Sequence, residues 1–157
     1  MAKIVIIMGS KKDLEHAKGV EDVCKEFKIP CEKRIASSHK TPEKVLNILK
    51  EYENETVVYI TIAGRSNALS GIIDGNTSKP VIASPPYSAK FGGADIFSNL
   101  RMPSGVAPMV VLGPEQSALA AIKILALHDG EIQQKVTAYQ KKYKEKIEHD
   151  DREVRGG

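Results

Sequence analysis

Three short stretches concentrate the residue types able to do chemistry. They read Gly9-Ser10-Lys11-Lys12-Asp13, Ser37-Ser38-His39-Lys40 and Gly64-Arg65-Ser66-Asn67-Ala68-Leu69-Ser70-Gly71. His39 is the sharpest residue of the set. An imidazole with an ordinary pKa of about 6.5 exchanges a proton near neutral pH, and a residue just before a helix start can equally serve a local capping hydrogen bond. Lys40 and Arg65 are cations from two of these stretches, suited to a phosphate or carboxylate and equally at home as solvated surface charges. Gly9-Ser10 offers free backbone N–H groups and the positive end of a helix, which together seat an anion. The Gly-x-x-x-x-Gly-Lys spacing of a P-loop is absent. Asp13 can cap its helix or accept hydrogen bonds from ribose hydroxyls. Gly64 and Gly71 permit tight turns and also let a flat ligand approach the backbone closely. The remaining histidines, His16 on a polar helix face, His128 near a helix end and His149 in the charged tail, read as solvated.

The elements between these stretches place all three at one edge. Lys3–Met8 is a continuous apolar run, the signature of a parallel strand covered on both faces. From Asp13 to Phe27, Leu14, Ala17, Val20, Cys24 and Phe27 fall at helical spacing. A second strand is expected near Cys31–Ala36. Thr41-Pro42-Glu43 starts a helix, with Thr41 as N-cap, Pro42 at the first helical position and Val45, Leu46, Ile48, Leu49 and Tyr52 as its apolar face. Thr56–Ala63 is a third strand, rich in β-branched residues, and a helical segment follows Gly64. Pro80–Ser84 and Pro108–Leu112 give strands four and five. Pro114-Glu115 opens a helix with Ala118, Leu119, Ala121, Ile122 and Leu125 inward. A last helix, about Glu131 to Ile147, carries Ile132, Val136, Tyr139, Tyr143 and Ile147 on one stripe.

This alternation specifies an α/β fold: a flavodoxin-like three-layer α/β/α sandwich with a five-stranded parallel sheet of order 2-1-3-4-5 and an extra C-terminal helix. In that order the winding direction reverses between strands 1 and 3, opening a crevice at their carboxyl ends. The three polar stretches follow strands 1, 2 and 3 and open there. The residues alone thus describe a crevice for a small anionic, phosphorylated ligand beside one histidine. The final helix has no strand after it, so its stripe is expected to pack on a neighbouring subunit.

Bulk properties bound the alternatives. The 157 residues suit a single domain spanning 1–157, and no linker interrupts the pattern. A net charge of +3 without a concentrated basic face argues against nucleic acid as a partner. The apolar run at the N-terminus is too short for a signal peptide or a membrane span. Cys24 and Cys31 lack zinc-type spacing and read as reduced residues in or near the core. The expected location is the cytoplasm, with no membrane partner.

At these loops the chain resembles the aminoimidazole ribonucleotide (AIR) carboxylase and mutase family. The resemblance rests on MGSKKD, SSHKTPE, AGRSNALSG, PVIASPP, LRMPSG and SALAAIKILALHD in order along essentially the whole chain. The mutase branch moves a carboxylate from nitrogen to carbon. It typically reads Ser-Ala-His-Arg at the second loop and has a third-loop histidine before Leu-Pro-Gly. Here Lys40 and Ala68 occupy the corresponding places, which resembles the class II branch that adds carbon dioxide directly, as in the carboxylase domain of the bifunctional animal enzyme. Lys12 departs from the serine common at that position.

The resemblance implies reversible carboxylation of AIR by carbon dioxide at carbon 4, with no metal and no other cofactor, neither ATP nor biotin. It implies that Ser10, Asp13, Ser37 and Lys40 hold the phosphoribosyl part. Gly64, Arg65, Ser66 and Leu69 shape the pocket for carbon dioxide and the new carboxylate, and His39 handles the proton. It also implies a homo-oligomer, an octamer before a tetramer. The rival readings are mutase activity on the same fold and a non-catalytic nucleotide-binding module.

Overall fold

The computed structural model describes residues 1–66 and 68–156. The chain forms two compact parts, residues 1–121 and 122–157. The first part contains the whole sheet. Its strands are β1 (Lys3–Met8), β2 (Cys31–Ile35), β3 (Val57–Ile62), β4 (Val81–Ala83) and β5 (Met109–Val110). They are parallel in the order β2-β1-β3-β4-β5. Its helices are α1 (Leu14–Phe27), α2 (Pro42–Glu51), α3 (Ala68–Asp74) and the beginning of α4 (Pro114–Leu125).

The two central strands explain why the sheet is covered on both faces. Ile4, Val5, Ile6 and Ile7 of β1 have no exposure, and all six residues of β3 are buried. One face of these strands, with Val5, Ile7, Val57 and Tyr59, packs in a single cluster with Val45, Ile48 and Leu49 of α2 and with Leu69 and Ile73 of α3. On α1, Ala17, Val20, Val23, Cys24 and Phe27 are buried. The expected three-layer sandwich with its strand order is therefore present.

Edge strand β2 is different, with Lys33 and Ile35 exposed. Its charges are tied sideways: Lys3 Nζ contacts Glu32 at 2.8 Å and Glu55 at 2.6 Å, while Tyr52 donates to Glu32 at 2.6 Å. Charge on an edge discourages pairing with another sheet.

Several boundaries differ from the sequence expectation. A 3-10 turn, Lys11–Asp13, precedes α1. Leu14 and Leu46, assigned to apolar stripes, are each 37% exposed, because each lies at the margin of its helix's buried face. The fifth strand shrinks to two residues, pairing only with Ile82 and Ala83 of β4. A 3-10 segment over Lys90–Asn99 was not anticipated; Phe91, Gly92 and Gly93 within it adopt left-handed backbone angles.

In the second part, α5 (Gly130–Val154) begins at Asp129, whose carboxylate accepts from the backbone N–H of Glu131 and Ile132 at 3.0 and 3.1 Å. Ile132 and Val136 are buried, whereas Tyr143 and Ile147 on the same stripe are exposed. The described residues contain no helix long and apolar enough to cross a membrane.

A glycine sets one helix contact in the first part. A Cβ on Gly19 of α1 would lie 2.9 Å from Pro114 Cγ and 3.0 Å from Pro114 Cβ, and a proline ring has little room to yield. Gly19→Leu is expected to destabilise the fold by roughly 1–3 kcal/mol through overpacking. Chemical denaturation checks this, and an unchanged midpoint would contradict the contact.

Candidate active site

Strand register brings the three polar loops together. Met8, the last residue of β1, pairs with Ile35 on one side and Ile62 on the other. The next backbone groups remain joined: Gly9 N–H donates to Ile62 O and Ala36 N–H to Met8 O, both at 2.9 Å. The chain therefore leaves all three strands at one level.

In the first loop, Asp13 turns back on Ser10 and accepts from its backbone N–H at 3.1 Å and its hydroxyl at 3.4 Å. Burial pushes the Asp13 carboxyl above its ordinary value, against the opposing pull of Ser10 and the nearby His16. In the second loop, Ser37 Oγ accepts from Lys40 N–H at 3.2 Å, and Ser37 N–H donates to Thr41 Oγ1 at 2.9 Å. Thr41 is the N-cap of α2, but its side chain is spent on this turn rather than on the helix. His39 and Lys40 are exposed on the turn.

In the third loop, Gly64 is half-buried, Arg65 and Ser66 are exposed, and Asn67 lies outside the described residues. A Cβ on Gly64 would sit 3.7 Å from Pro86 and 4.0 Å from Asp13, so loops one and three are in contact range there. Leu69 is buried in the core cluster with α2 and α3. Gly71 lies within α3 and faces Met102, whose sulfur would be 3.4 Å from an added Cβ.

A cavity of about 450 Å³ opens beside the third loop. Gly64, Arg65 and Ser66 line it; Ser10, Asp13, Ser37, His39, Lys40 and Leu69 do not. Its other walls are Pro85–Ser88 after β4, Leu112–Pro114 after β5, and Asp95, Ile96, Ser98 and Asn99 of the 3-10 segment. Sequence reasoning missed most of these walls because residues 85–99 carry no helical or strand period. The Pro85-Pro86 and Gly92-Gly93 pairs were the available signals of irregular chain.

His16 also lines this cavity, which corrects its reading as a solvated residue. Its Nε2 lies 2.9 Å from the hydroxyl of buried Ser84, just beyond β4. That hydroxyl donates to Leu112 O at 3.4 Å, so it accepts from His16 Nε2–H. Burial holds the His16 pKa below its ordinary 6.5, partly opposed by Asp13 and Ser84. The spacing of three between Asp13 and His16 puts both on one side of the helix start.

These observations define a doubly wound α/β protein with a small-molecule cleft at the carboxyl edge of its sheet. Residues 3–146 match the family described as AIR carboxylase. A phosphoribosylaminoimidazole carboxylase of Archaeoglobus fulgidus is 61% identical over 98% of this chain and 85% of its own length. One of Treponema denticola is 47% identical over 97% of each chain. The bifunctional phosphoribosylaminoimidazole carboxylase/phosphoribosylaminoimidazole succinocarboxamide synthetase of Homo sapiens is 41% identical over 87% of this chain, a match spanning 32% of its length. The crystal structure of Treponema denticola PurE superposes with a TM-score of 0.96 at 47% identity, covering 98% of this chain and 99% of that one. The chain belongs to the AIR carboxylase family. It is an enzyme of the carboxylase/mutase type.

His16 makes acid stability informative. Its folded-state pKa lies below the unfolded value, so the unfolded chain takes up the proton first as pH falls. The stability that neutral His16 contributes is complete above about pH 6.5 and declines below it until the folded pKa is passed. Between about pH 7 and 5 the melting temperature of wild type should therefore fall more than that of His16→Gln. Parallel curves would contradict the burial.

Proposed function

We propose that this chain, acting as one domain, serves purine biosynthesis by adding carbon dioxide directly to carbon 4 of AIR, reversibly and without ATP, metal or biotin. The observation that carries the reading is the shared edge at which Ser10 and Asp13, the Ser37–Lys40 turn and Gly64-Arg65-Ser66 leave the sheet. The full-length relatives named phosphoribosylaminoimidazole carboxylase support it.

The amino group of AIR pushes electron density onto carbon 4, so the ring itself is the nucleophile. The protein must hold carbon dioxide over the ring face, a matter of positioning. Ser10, Asp13, Ser37 and Lys40 hold the phosphoribosyl part, with Lys40 free on its exposed turn to meet the phosphate. Attack forms a carbon–carbon bond and leaves carbon 4 bearing both hydrogen and carboxylate. Backbone N–H groups of the third loop, with Ser66 and Arg65, stabilise the growing negative charge. Gly64 allows the close approach, and buried Leu69 anchors the loop in the core. His39 then takes the proton from carbon 4, and its electron pair restores the aromatic ring. In the free protein His39 is exposed; hydrogen bonds of catalysis commonly tighten only in the complex.

The active form is proposed to be a cytoplasmic homo-oligomer, an octamer before a tetramer. Exposed Tyr87, Phe91 and Phe97, and Tyr143 and Ile147 of α5, are apolar surface that such contacts would cover.

The test is an assay of purified protein with AIR and dissolved carbon dioxide, and separately with N5-carboxyaminoimidazole ribonucleotide, without ATP. Turnover of the first pair is expected, and preference for the second would replace carboxylase by mutase. His39→Asn should lower kcat by about 10²–10⁴-fold while retaining ligand binding. Lys40→Ala should mainly raise KM. Near wild-type turnover in His39→Asn would remove His39 from the role of base.

A further inference from the structure

We propose that Cys24 and Cys31 form a redox-modification site, where a hydroperoxide converts the two thiols into a reversible disulfide that fastens α1 to the edge strand β2. The proposal stands apart from the reaction at the carboxyl edge of the sheet.

A neighbouring ion pair fixes how the two elements face each other. Cys24 is fully buried on α1, and Glu21 lies three residues earlier on the same side of that helix. Cys31 opens β2, and Lys33, two residues further on, points to the same side of the strand. Lys33 Nζ reaches Glu21 at 2.7 Å, so this side of β2 faces α1. Cys31 is thereby turned toward Cys24, and the two thiols share a hydrogen bond. Glu32, on the opposite side of the strand, is held by Lys3 and Tyr52 instead. The connection keeps the cysteines in place. Lys28 takes left-handed backbone angles, Ile29 N–H donates to Cys24 O, and Pro30 O accepts from Ile4 N–H, both at 2.9 Å.

The two thiols are unlike. The hydrogen bond from Cys24 holds the Cys31 thiol below its ordinary pKa, helped by Lys33 and Lys25 against burial and Glu21. That same bond and burial push the Cys24 thiol up. Cys31 is also the half-buried member of the pair, within reach of a small oxidant. Its thiolate attacks one peroxide oxygen, the O–O bond breaks, and the sulfur is oxidised to a sulfenic acid. The sulfur of Cys24 then attacks that of Cys31. The S–S bond forms as the S–O bond breaks, and the Cys24 proton leaves with the hydroxyl as water. The peroxide is reduced by the two electrons the thiols give up, and a dithiol reductant reverses the change. The chain holds no third cysteine to compete for the bridge.

Hydrogen peroxide added to the reduced full chain tests this. Both free thiols should disappear, the mass should fall by two hydrogens, and one peptide should join Cys24 to Cys31, all restored by dithiothreitol. The melting temperature should rise by about 3–8 °C, as expected when a short loop is closed. Cys24→Ser should stop at a sulfenic acid on Cys31 that dimedone traps, and Cys31→Ser should leave Cys24 unreacted. Bridges between chains, sulfinic acid on Cys31 of wild type, trapping at Cys24, or an unchanged or lowered melting temperature overturns the proposal. Should the variants fail to fold by circular dichroism, the wild-type peptide map and melting temperature decide by the same outcomes.

Discussion

The site depends on three adjacent parallel strands ending at the same height. Met8 stands between Ile35 and Ile62, and the backbone bonds of Gly9 and Ala36 continue the ladder one residue beyond the strands. Loops far apart in the chain thereby open side by side. β1 and β3 are apolar on both faces, so their register is held by the close fit of side chains against the covering helices, which a one-residue slip would disrupt. Each large side chain buried there contributes about 1.5–3 kcal/mol. The ion pairs around Lys3, Glu32 and Glu55 are partly exposed and shape the edge more than they stabilise it.

The polar edge of the free protein is satisfied largely within itself. Ser10 and Asp13 serve one another, as do Ser37, Thr41 and the Lys40 backbone, while Ser84 joins His16 to the carbonyl of Leu112. Such pairings orient the groups before a ligand arrives, which lowers the entropy lost on binding. They also leave different parts of the edge with different tasks. The exposed turn of His39 and Lys40 faces water, whereas the cavity behind Gly64 is walled by prolines, His16 and Asn99.

Much of the fold was legible in local pattern. The apolar run Lys3–Met8 became β1 residue for residue, and Pro114 began α4 as its residue type suggested. The parallel order followed from alternating elements and the handedness of their connections. Pattern reading weakened where periodicity was absent. Residues 85–108 contain paired prolines, paired glycines and scattered aromatics, and most of the unexpected cavity wall comes from them. Leu14 and Leu46 show the limit of a helical stripe, which identifies a face but not its margin.

The sequence by itself determined the strands and their order, the edge at which the polar loops open and the candidate chemistry of Ser10, Asp13, His39, Lys40 and Arg65, because these follow from periodicity, connection rules and residue type. Only the tertiary structure decided that His16 meets Ser84, that Leu69 is turned into the core, and that the irregular segment after β4 walls a cavity. Those facts depend on which remote segments pack together. A side chain's partner across 68 residues is set by that packing and leaves no trace in the spacing around it.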